Sequence, residues 1–329
     1  MFNQMGSGSL PTGRIIVLGG TGLIGRHVIG ALTGAGVDDI TATYRTRQPF
    51  EGYGAHWKKA DLLDLTEARA VLAGAKVGIV CAGKVSTAAE LRRDPVRSVV
   101  DTLRIGTNVL EAAAQEHVER LILLSSCSGY PEGASPKEEA AMFAGDPPAG
   151  WFGVGWVHRF LEKQLEWYAV HLRRIASAVA LRPTLVYGPY DDFSRESGHF
   201  VPSMIGQVVV RQRPIEVWGD GSQTRNLIHA ADVGSAVVAA LGAEPGYAAY
   251  NVAAPCSTSV NTVLKTLIDL DGFHDAEIVH RLDRSGGASA LDVSAAAFAR
   301  RFGWRPALSL REGLADTVRW YRRTMASAR

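Results

Sequence analysis

Gly19-Gly20-Thr21-Gly22-Leu23-Ile24-Gly25 constrains the fold of this chain more than any other stretch. It follows the apolar run Ile15-Ile16-Val17-Leu18 and precedes Arg26-His27-Val28-Ile29-Gly30-Ala31-Leu32, which reads as a helix. Strand, glycine turn, helix is the context that separates a dinucleotide-binding fingerprint from a chance cluster of glycines. Glycine tolerates positive φ and lets backbone approach a pyrophosphate. The helix start then offers free N–H groups and the positive end of its dipole to that anion. Gly19, Thr21, Gly22, Leu23, Ile24 and Gly25 are therefore candidate cofactor-binding residues. The competing reading is a tight βα turn that holds no nucleotide.

The pattern continues as strands alternating with helices. Ile40–Tyr44, His56–Ala60, Val77–Cys81, Leu121–Leu124 and Ala178–Leu181 read as strands. The near-continuous apolar runs among them suit strands covered on both faces. Asp64-Leu65-Thr66-Glu67 has the form of a capping box. Helices are predicted over Pro95–His117 and Gly155–Arg173; the second carries Phe160, Leu161, Leu165, Tyr168 and Leu172 near helical period. This alternation predicts an α/β fold with a doubly wound parallel sheet of Rossmann type.

After Pro183 the elements shorten and Pro and Gly become frequent. Helices are expected at Val201–Val210, Asp232–Leu241, Thr258–Leu270 and Leu310–Arg323, with extended segments at Pro214–Trp218, Leu227–His229 and Glu277–His280. A smaller C-terminal α/β substrate lobe is expected to close over the C-terminal edge of the sheet, where ligands bind in such folds. The expected division is residues 14–182 plus about 227–253 for the cofactor domain, about 183–226 plus 254–329 for the lobe, and a flexible tail over 1–13.

Composition narrows the class of partner. A formal charge of +2 without basic clusters gives no case for nucleic acid. Cys81, Cys127 and Cys256 are sparse and odd in number, which argues against a disulfide framework and for a reducing compartment. The histidines show no metal-ligand spacing, and no apolar run reaches the length of a membrane span. Residues 1–13 lack a signal-peptide pattern. The expectation is a cytoplasmic protein with no metal and no membrane partner.

The second strand ends in Thr43-Tyr44-Arg45-Thr46-Arg47, without the carboxylate that usually meets a free ribose 2′-OH. Arg45 and Arg47 suit a 2′-phosphate, so NADP is favoured over NAD; the alternative is a pair of solvated loop charges. Asp61-Leu62, after the third strand, is a candidate adenine contact.

Gly19–Gly25, Asp61-Leu62, Ser125-Ser126, Leu181-Arg182-Pro183-Thr184-Leu185-Val186-Tyr187-Gly188-Pro189 and Val217-Trp218-Gly219-Asp220-Gly221, with Arg225, His229 and Asp232, occur in one order. Together they resemble the extended short-chain dehydrogenase/reductases that act on nucleotide sugars, over about Arg14–Trp320. Within that family Ser125-Ser126-Cys127, Tyr187–Phe193 and Gly198-His199-Phe200-Val201-Pro202 are most similar to the GDP-L-fucose synthase group. The resemblance implies epimerase or ketoreductase chemistry on a nucleotide sugar. Cys127 and His199 would handle protons on opposite faces, and Ser126 would hydrogen-bond the sugar oxygen. Leu185, Val201, Trp218 and Arg225 would line the substrate site, with Arg225 gripping the diphosphate. It further implies cofactor contacts from Ala82, Gly83, Lys84, Ser125, His158, Pro183 and Val186, with Arg281 and Arg284 as weaker substrate candidates. A homodimer through the helices at Pro95–His117 and Gly155–Arg173 is also implied.

One departure stands out. The family's Tyr-x-x-x-Lys pair is missing. The frame Tyr-Gly-x-x-Lys-x-x-x-Glu fits best with Val154 in the Tyr place and His158 in the Lys place, while a second register uses Phe152 and Trp156. Leu185 stands where the family often has Asn, and Thr102 or Leu103 where another Asn supports the pair. Valine cannot titrate; His158 can, near neutrality, and could hydrogen-bond a ribose hydroxyl, though its side chain is shorter than that of Lys. The expectation is an NADP-dependent epimerase or ketoreductase whose acid and base are drawn from Ser126, Cys127, His199 and His158. The alternatives are a redox-neutral isomerase or dehydratase, or a catalytically silent nucleotide-binding protein.

Overall fold

The computed structural model describes residues 10–83, 94, 96–133, 135–193, 199–284 and 292–327. Strands β1 (Ile15–Leu18), β2 (Ile40–Tyr44), β3 (His56–Lys59), β4 (Val77–Val80), β5 (Arg120–Leu124) and β6 (Ser177–Pro183) lie in one sheet with a later strand, Gly246–Val252. Numbered in chain order, the strands between are β7 (Leu185–Tyr187), β8 (Ile215–Trp218), β9 (Thr224–Arg225) and β10 (Leu227–His229), so Gly246–Val252 is β11. Two short ones follow, β12 (Thr258–Ser259) and β13 (Ile278–Arg281). The sheet order is β11-β6-β5-β4-β1-β2-β3 and every pairing in it is parallel. The order reverses between β1 and β4, so the switch point, where such folds bind ligands, lies beside the glycine loop.

Helices cover both faces. They are α1 (Leu23–Gly34), α2 (Leu65–Leu72), α3 (Arg97–Gln115), α4 (Phe152–Glu166), α5 (Phe200–Val209), α6 (Ala230–Ala240), α7 (Val260–Asp271), α8 (Ala296–Phe302) and α9 (Leu310–Ser327). One core, with Val28, Ile29 and Leu32 of α1 and Val233 and Val237 of α6, packs on one face. A second, with Val109, Leu110, Leu161 and Leu165 of α3 and α4, packs on the other. Burial on both sides explains why β1, β4 and β6 are solvent-shielded along their whole length. Asp64 caps α2 by accepting from the Thr66 and Glu67 N–H groups, as the capping box predicts. The last turn of α4 passes into a π-helical turn at Trp167–His171.

A third core holds the C-terminal elements together, joining Val201, Ile205 and Val208 of α5 to Val263, Leu264 and Leu267 of α7 and Leu314 of α9. Sequence pattern missed β11, whose Tyr247-Ala248-Ala249-Tyr250 is only half-buried at the sheet edge, and the short α8. Among the described residues no helix is long and apolar enough to cross a membrane.

Candidate functional site

The glycine loop does three separate jobs. Gly19 has φ of 84°, and a Cβ there would sit 2.8 Å from the Ala82 backbone. Gly25 faces the Gly19 carbonyl too closely for any side chain. These two glycines, then, are demanded by the chain's own packing. Gly22 is different: its φ is an ordinary −75°, it is exposed, and a Cβ would meet only the Gly19 oxygen at 3.4 Å. It caps α1 with no side-chain hydrogen bond, and no acidic residue stands in the first turn. An uncapped helix start behind an open glycine fits an anion such as a pyrophosphate.

Two cations crowd beside it. Arg26 Nε donates to the Thr21 carbonyl at 3.2 Å, and Arg47 reaches the same oxygen at 3.4 Å. Arg45 pairs with Asp61 at 3.4 Å, both partly exposed, which brings two sequence candidates together. Asp61 also accepts from the Leu63 N–H. Leu62 is buried in the core, so only its backbone can face a ligand. Leu23 and Ile24 are partly buried at the helix start, Ala82 is partly buried and Gly83 exposed. Thr102 lies 3.5 Å from where a Gly83 Cβ would be. Lys84 lies outside the described residues.

The serine loop follows β5. Ser125 is buried and its hydroxyl donates to Glu162 at 2.5 Å. Glu162, fully buried, is held by Arg182 through Nε and Nη2 at 2.9 and 2.6 Å, and Arg182 continues to the Tyr130 hydroxyl at 3.0 Å. Ser125 is thus tied into a structural ion-pair network. Ser126 is more open, and its hydroxyl accepts from the Ser128 N–H at 3.1 Å. Cys127 is 5% exposed; its thiol donates to the Arg182 carbonyl at 3.1 Å and burial pushes its pKa up. It is therefore a protonated thiol at neutral pH, a weaker acid than a free cysteine and unable to act as a thiolate base.

Gly155 docks α4 on this loop: a Cβ there would lie 2.8 Å from the Ser128 carbonyl. The docking separates the two registers. Phe152 and Trp156 are 50% and 40% exposed on the outer face, whereas Val154 and His158 are partly buried. Val154 and His158 thus occupy the inner positions of α4, and Phe152 and Trp156 its exposed side. Burial pushes the His158 imidazole down to about 4, against a smaller opposing pull from Glu162. His158 is consequently neutral at pH 7, a hydrogen-bonding group without a charge.

His199 stands at the start of α5, with Nδ1 2.8 Å from the Asp191 carboxylate, which is buried. A carboxylate accepts the Nδ1 proton and makes Nε2 the basic nitrogen, the arrangement that orients a catalytic histidine. The motif contained Asp191, but its role as the partner of His199 was not legible: the Gly188-Pro189 turn announces a reversal without telling which residue looks back. Pro183 is buried at the end of β6, while Val186 is partly buried and Leu185 exposed on β7, alongside β10.

In the lobe the candidates divide. Trp218 is 45% exposed under the Arg284 guanidinium at 5.3 Å, so it is no core residue. Arg225 is partly buried on β9, its pKa lowered by that burial, and donates to the Thr224 carbonyl. Val201, in contrast, is 1% exposed within the lobe core and offers no surface to a substrate. Arg281 is engaged by Glu216 at 2.6 Å. Residues 194–198, in the loop between Phe193 and His199, lie outside the described residues. Among the described residues no cluster of His, Cys, Asp or Glu could hold a metal ion.

The model of the NAD dependent epimerase/dehydratase family matches residues 15–253. Among curated proteins, Probable GDP-L-fucose synthase 1 of Oryza sativa subsp. japonica is 26% identical over 325 residues, covering 96% of this chain and 94% of that protein. Two solved structures share the fold. A UDP-glucose 4-epimerase from Thermotoga maritima with UDP-glucose gives a TM-score of 0.83 at 23% identity, covering 95% of this chain and 100% of that one. A GDP-L-fucose synthetase from Naegleria fowleri bound to NADP gives 0.81 at 19% identity, covering 99% of both.

Proposed function

Since the chain belongs to the NAD dependent epimerase/dehydratase family, of the extended short-chain dehydrogenase/reductase type, we propose that it is an NADP-dependent epimerase or ketoreductase acting on a nucleotide-activated sugar, with GDP as the favoured nucleotide. Its proton chemistry does not use the family's Tyr–Lys pair. The observation that carries this reading is the His199–Asp191 hydrogen bond of 2.8 Å at the head of α5. Asp191 fixes the tautomer of His199, and His199 Nε2 takes or returns the proton beside the sugar carbonyl. Cys127, held as a thiol, is the proton donor for the other face, and Ser126 positions the sugar oxygen. Arg225 takes the diphosphate, where a planar guanidinium gives paired contacts, and the exposed Trp218 stacks on the base.

The start of α1 would hold the pyrophosphate of the cofactor, Arg45 and Arg47 its 2′-phosphate, and neutral His158 a ribose hydroxyl. When bound, a nicotinamide cofactor supplies reversible two-electron reduction of the sugar carbonyl. Phe152, Trp156 and Phe160 recur every fourth residue on the outer face of α4, 50%, 40% and 54% exposed. Such an apolar stripe supports a homodimer through α3 and α4; a monomer by light scattering at micromolar concentration would refute it.

The decisive experiment incubates the protein with NADPH and a GDP-4-keto-6-deoxysugar in deuterated water. Loss of NADPH absorbance or deuterium entry beside the ketone is the expected result; neither occurring sinks the enzymatic reading. A second reading, exchange without net oxidation, is favoured by Val154 in place of the phenol, and deuterium uptake with NADPH unchanged would select it.

A further inference from the structure

Arg26 stands in the first turn of α1, directly after the last glycine of the loop. Its Nε is spent on the Thr21 carbonyl, yet its guanidinium also meets two aromatic rings. Cζ lies 4.0 Å from the centre of Phe50, in the connection between β2 and β3, and 4.6 Å from the centre of Tyr190, in the turn after β7. Both distances are within the reach of a cation–π contact. One side chain therefore joins three segments that are distant in the sequence: the glycine loop, the connection that carries Arg45 and Arg47, and the turn that leads to His199.

Tyr190 is the informative member. It has φ of 73°, a left-handed backbone that few non-glycine residues adopt. Such a conformation persists only where the surroundings fix it. Here α9 offers Trp320, edge-on at 5.0 Å, and α1 offers Arg26. His27 is a more distant neighbour at 6.1 Å, itself edge-on to His229 at 5.8 Å. Three residues on, Phe193 stacks on Tyr321 at 4.3 Å with planes 13° apart. Rings thus pin both ends of a short segment, and Asp191 lies between them.

The direction of the Asp191 carboxylate is set within that segment. Its backbone N–H donates to the Gly188 carbonyl at 3.3 Å and closes the turn. Its Oδ1 accepts from the Asp192 N–H at 2.8 Å and lies 2.8 Å from His199 Nδ1. Oδ2 is buried without a hydrogen-bond partner among the described residues. Apart from His199, then, the carboxylate is steered by the backbone of the turn, and the turn is steered by the rings on either side.

We propose that Arg26 is a positioning residue for the His199–Asp191 pair. Its guanidinium holds the Tyr190 ring, the ring holds the left-handed turn, and the turn directs Asp191 Oδ1 at His199 Nδ1. Through Thr21 the same side chain ties the pair to the loop read as the cofactor site, so the two sites share an anchor. The positioning stands on geometry alone; its bearing on turnover rests on the proposed role of His199.

Two readouts on the full chain test this. The first is NMR of the histidine side-chain nitrogens at about pH 8.5, where a histidine of ordinary pKa is neutral. His199, assigned by its disappearance in His199→Gln, should carry its proton on Nδ1. Arg26→Met should move that proton wholly or partly to Nε2. Tyr190→Leu should do the same, whereas Tyr190→Phe, which keeps the ring, should not. The second is turnover. Arg26→Met should slow it by about tenfold, the worth of one partly desolvated cation–π contact. In His199→Gln the same substitution should change it by less than about twofold, because the residue it acts through is gone. An Nδ1 proton that stays in place in Arg26→Met overturns the proposal, as does a wild-type His199 without one. Tyr190→Leu reads the same contact from the other side and decides the matter if Arg26→Met does not fold. A loss of equal size in the His199→Gln background overturns the role of Arg26 in the reaction. If His199→Gln leaves turnover unchanged, the role assigned to His199 fails, and the nitrogen spectra still decide the positioning.

Discussion

Two helices reach the cofactor cleft from opposite faces of the sheet, and they differ in what they contribute. The start of α1 works through backbone: glycines at 19, 22 and 25 and N–H groups that no side chain caps. The start of α4 works through side chains, and there this chain carries Val154 and neutral His158. Backbone function is bound to the fold, because Gly19 and Gly25 cannot take a Cβ without disturbing it. Side-chain function is not bound in this way: Gly155 docks α4 whatever stands on either side of it. The proton chemistry could therefore move away from α4 while the sheet, the loop and the docking stayed as they are.

If the chemistry has moved to the head of α5, His199→Gln lowers turnover by about 10²–10⁴-fold, the range of a lost general acid or base, while Val154→Ala causes no comparable loss. Steady-state rates of both variants decide this, and equal losses would restore α4 as the proton-handling helix. Next in size is the one side chain of α4 that must stay. Glu162→Ala strands Arg182 in the interior and should cost about 3–5 kcal/mol in urea unfolding; an unchanged midpoint would show the network to be dispensable. On the α1 side, Arg45→Ala with Arg47→Ala should weaken NADP by about 1.5–3 kcal/mol and leave NAD untouched, measured by fluorescence titration. Equal effects on both dinucleotides would make the arginines bystanders.

The two glycines separate fold from function within α1 itself. Gly25→Ala should destabilise by about 1–3 kcal/mol, as overpacking does. Gly22→Ala should alter stability by less than about 0.5 kcal/mol and still weaken the cofactor, with thermal melts and titrations run side by side. A last effect is pH-dependent. His158 titrates at about 4 in the folded chain, below its ordinary 6.5. Between those values the unfolded chain binds more protons, so stability rises with pH through that window and is lost as pH falls from 6.5 towards 4. The slope from one histidine is at most about 1.4 kcal/mol per pH unit. His158→Gln should flatten that limb by its share, while His229, also at about 4, keeps the remainder.

What was legible in the sequence follows the same division. Backbone-driven features left periodic or glycine signatures, so the sheet strands through β6, α1, α3, α4 and the order of the lobe elements could be read within a few residues. The edge strand β11 escaped because its half-buried Tyr-Ala-Ala-Tyr carries neither strict alternation nor a continuous apolar run. Val201 looked like a site residue because it stands in the Gly198–Pro202 motif with His199, yet α5, which begins at Phe200, turns it into the lobe core. Asp191 beside His199, and His229 over His27, join side chains far apart in sequence or across a turn. Their pairing depends on where β10, α5 and α9 come to rest, which no local spacing encodes.

Gly155 has one more consequence. Because it seats α4 against the Ser128 carbonyl without a side chain of its own, the inner positions 154 and 158 are delivered to one place irrespective of their occupants. The helix is in effect a socket. Val154→Tyr with His158→Lys should therefore be a graft and not a redesign: the family's pair would arrive already aligned.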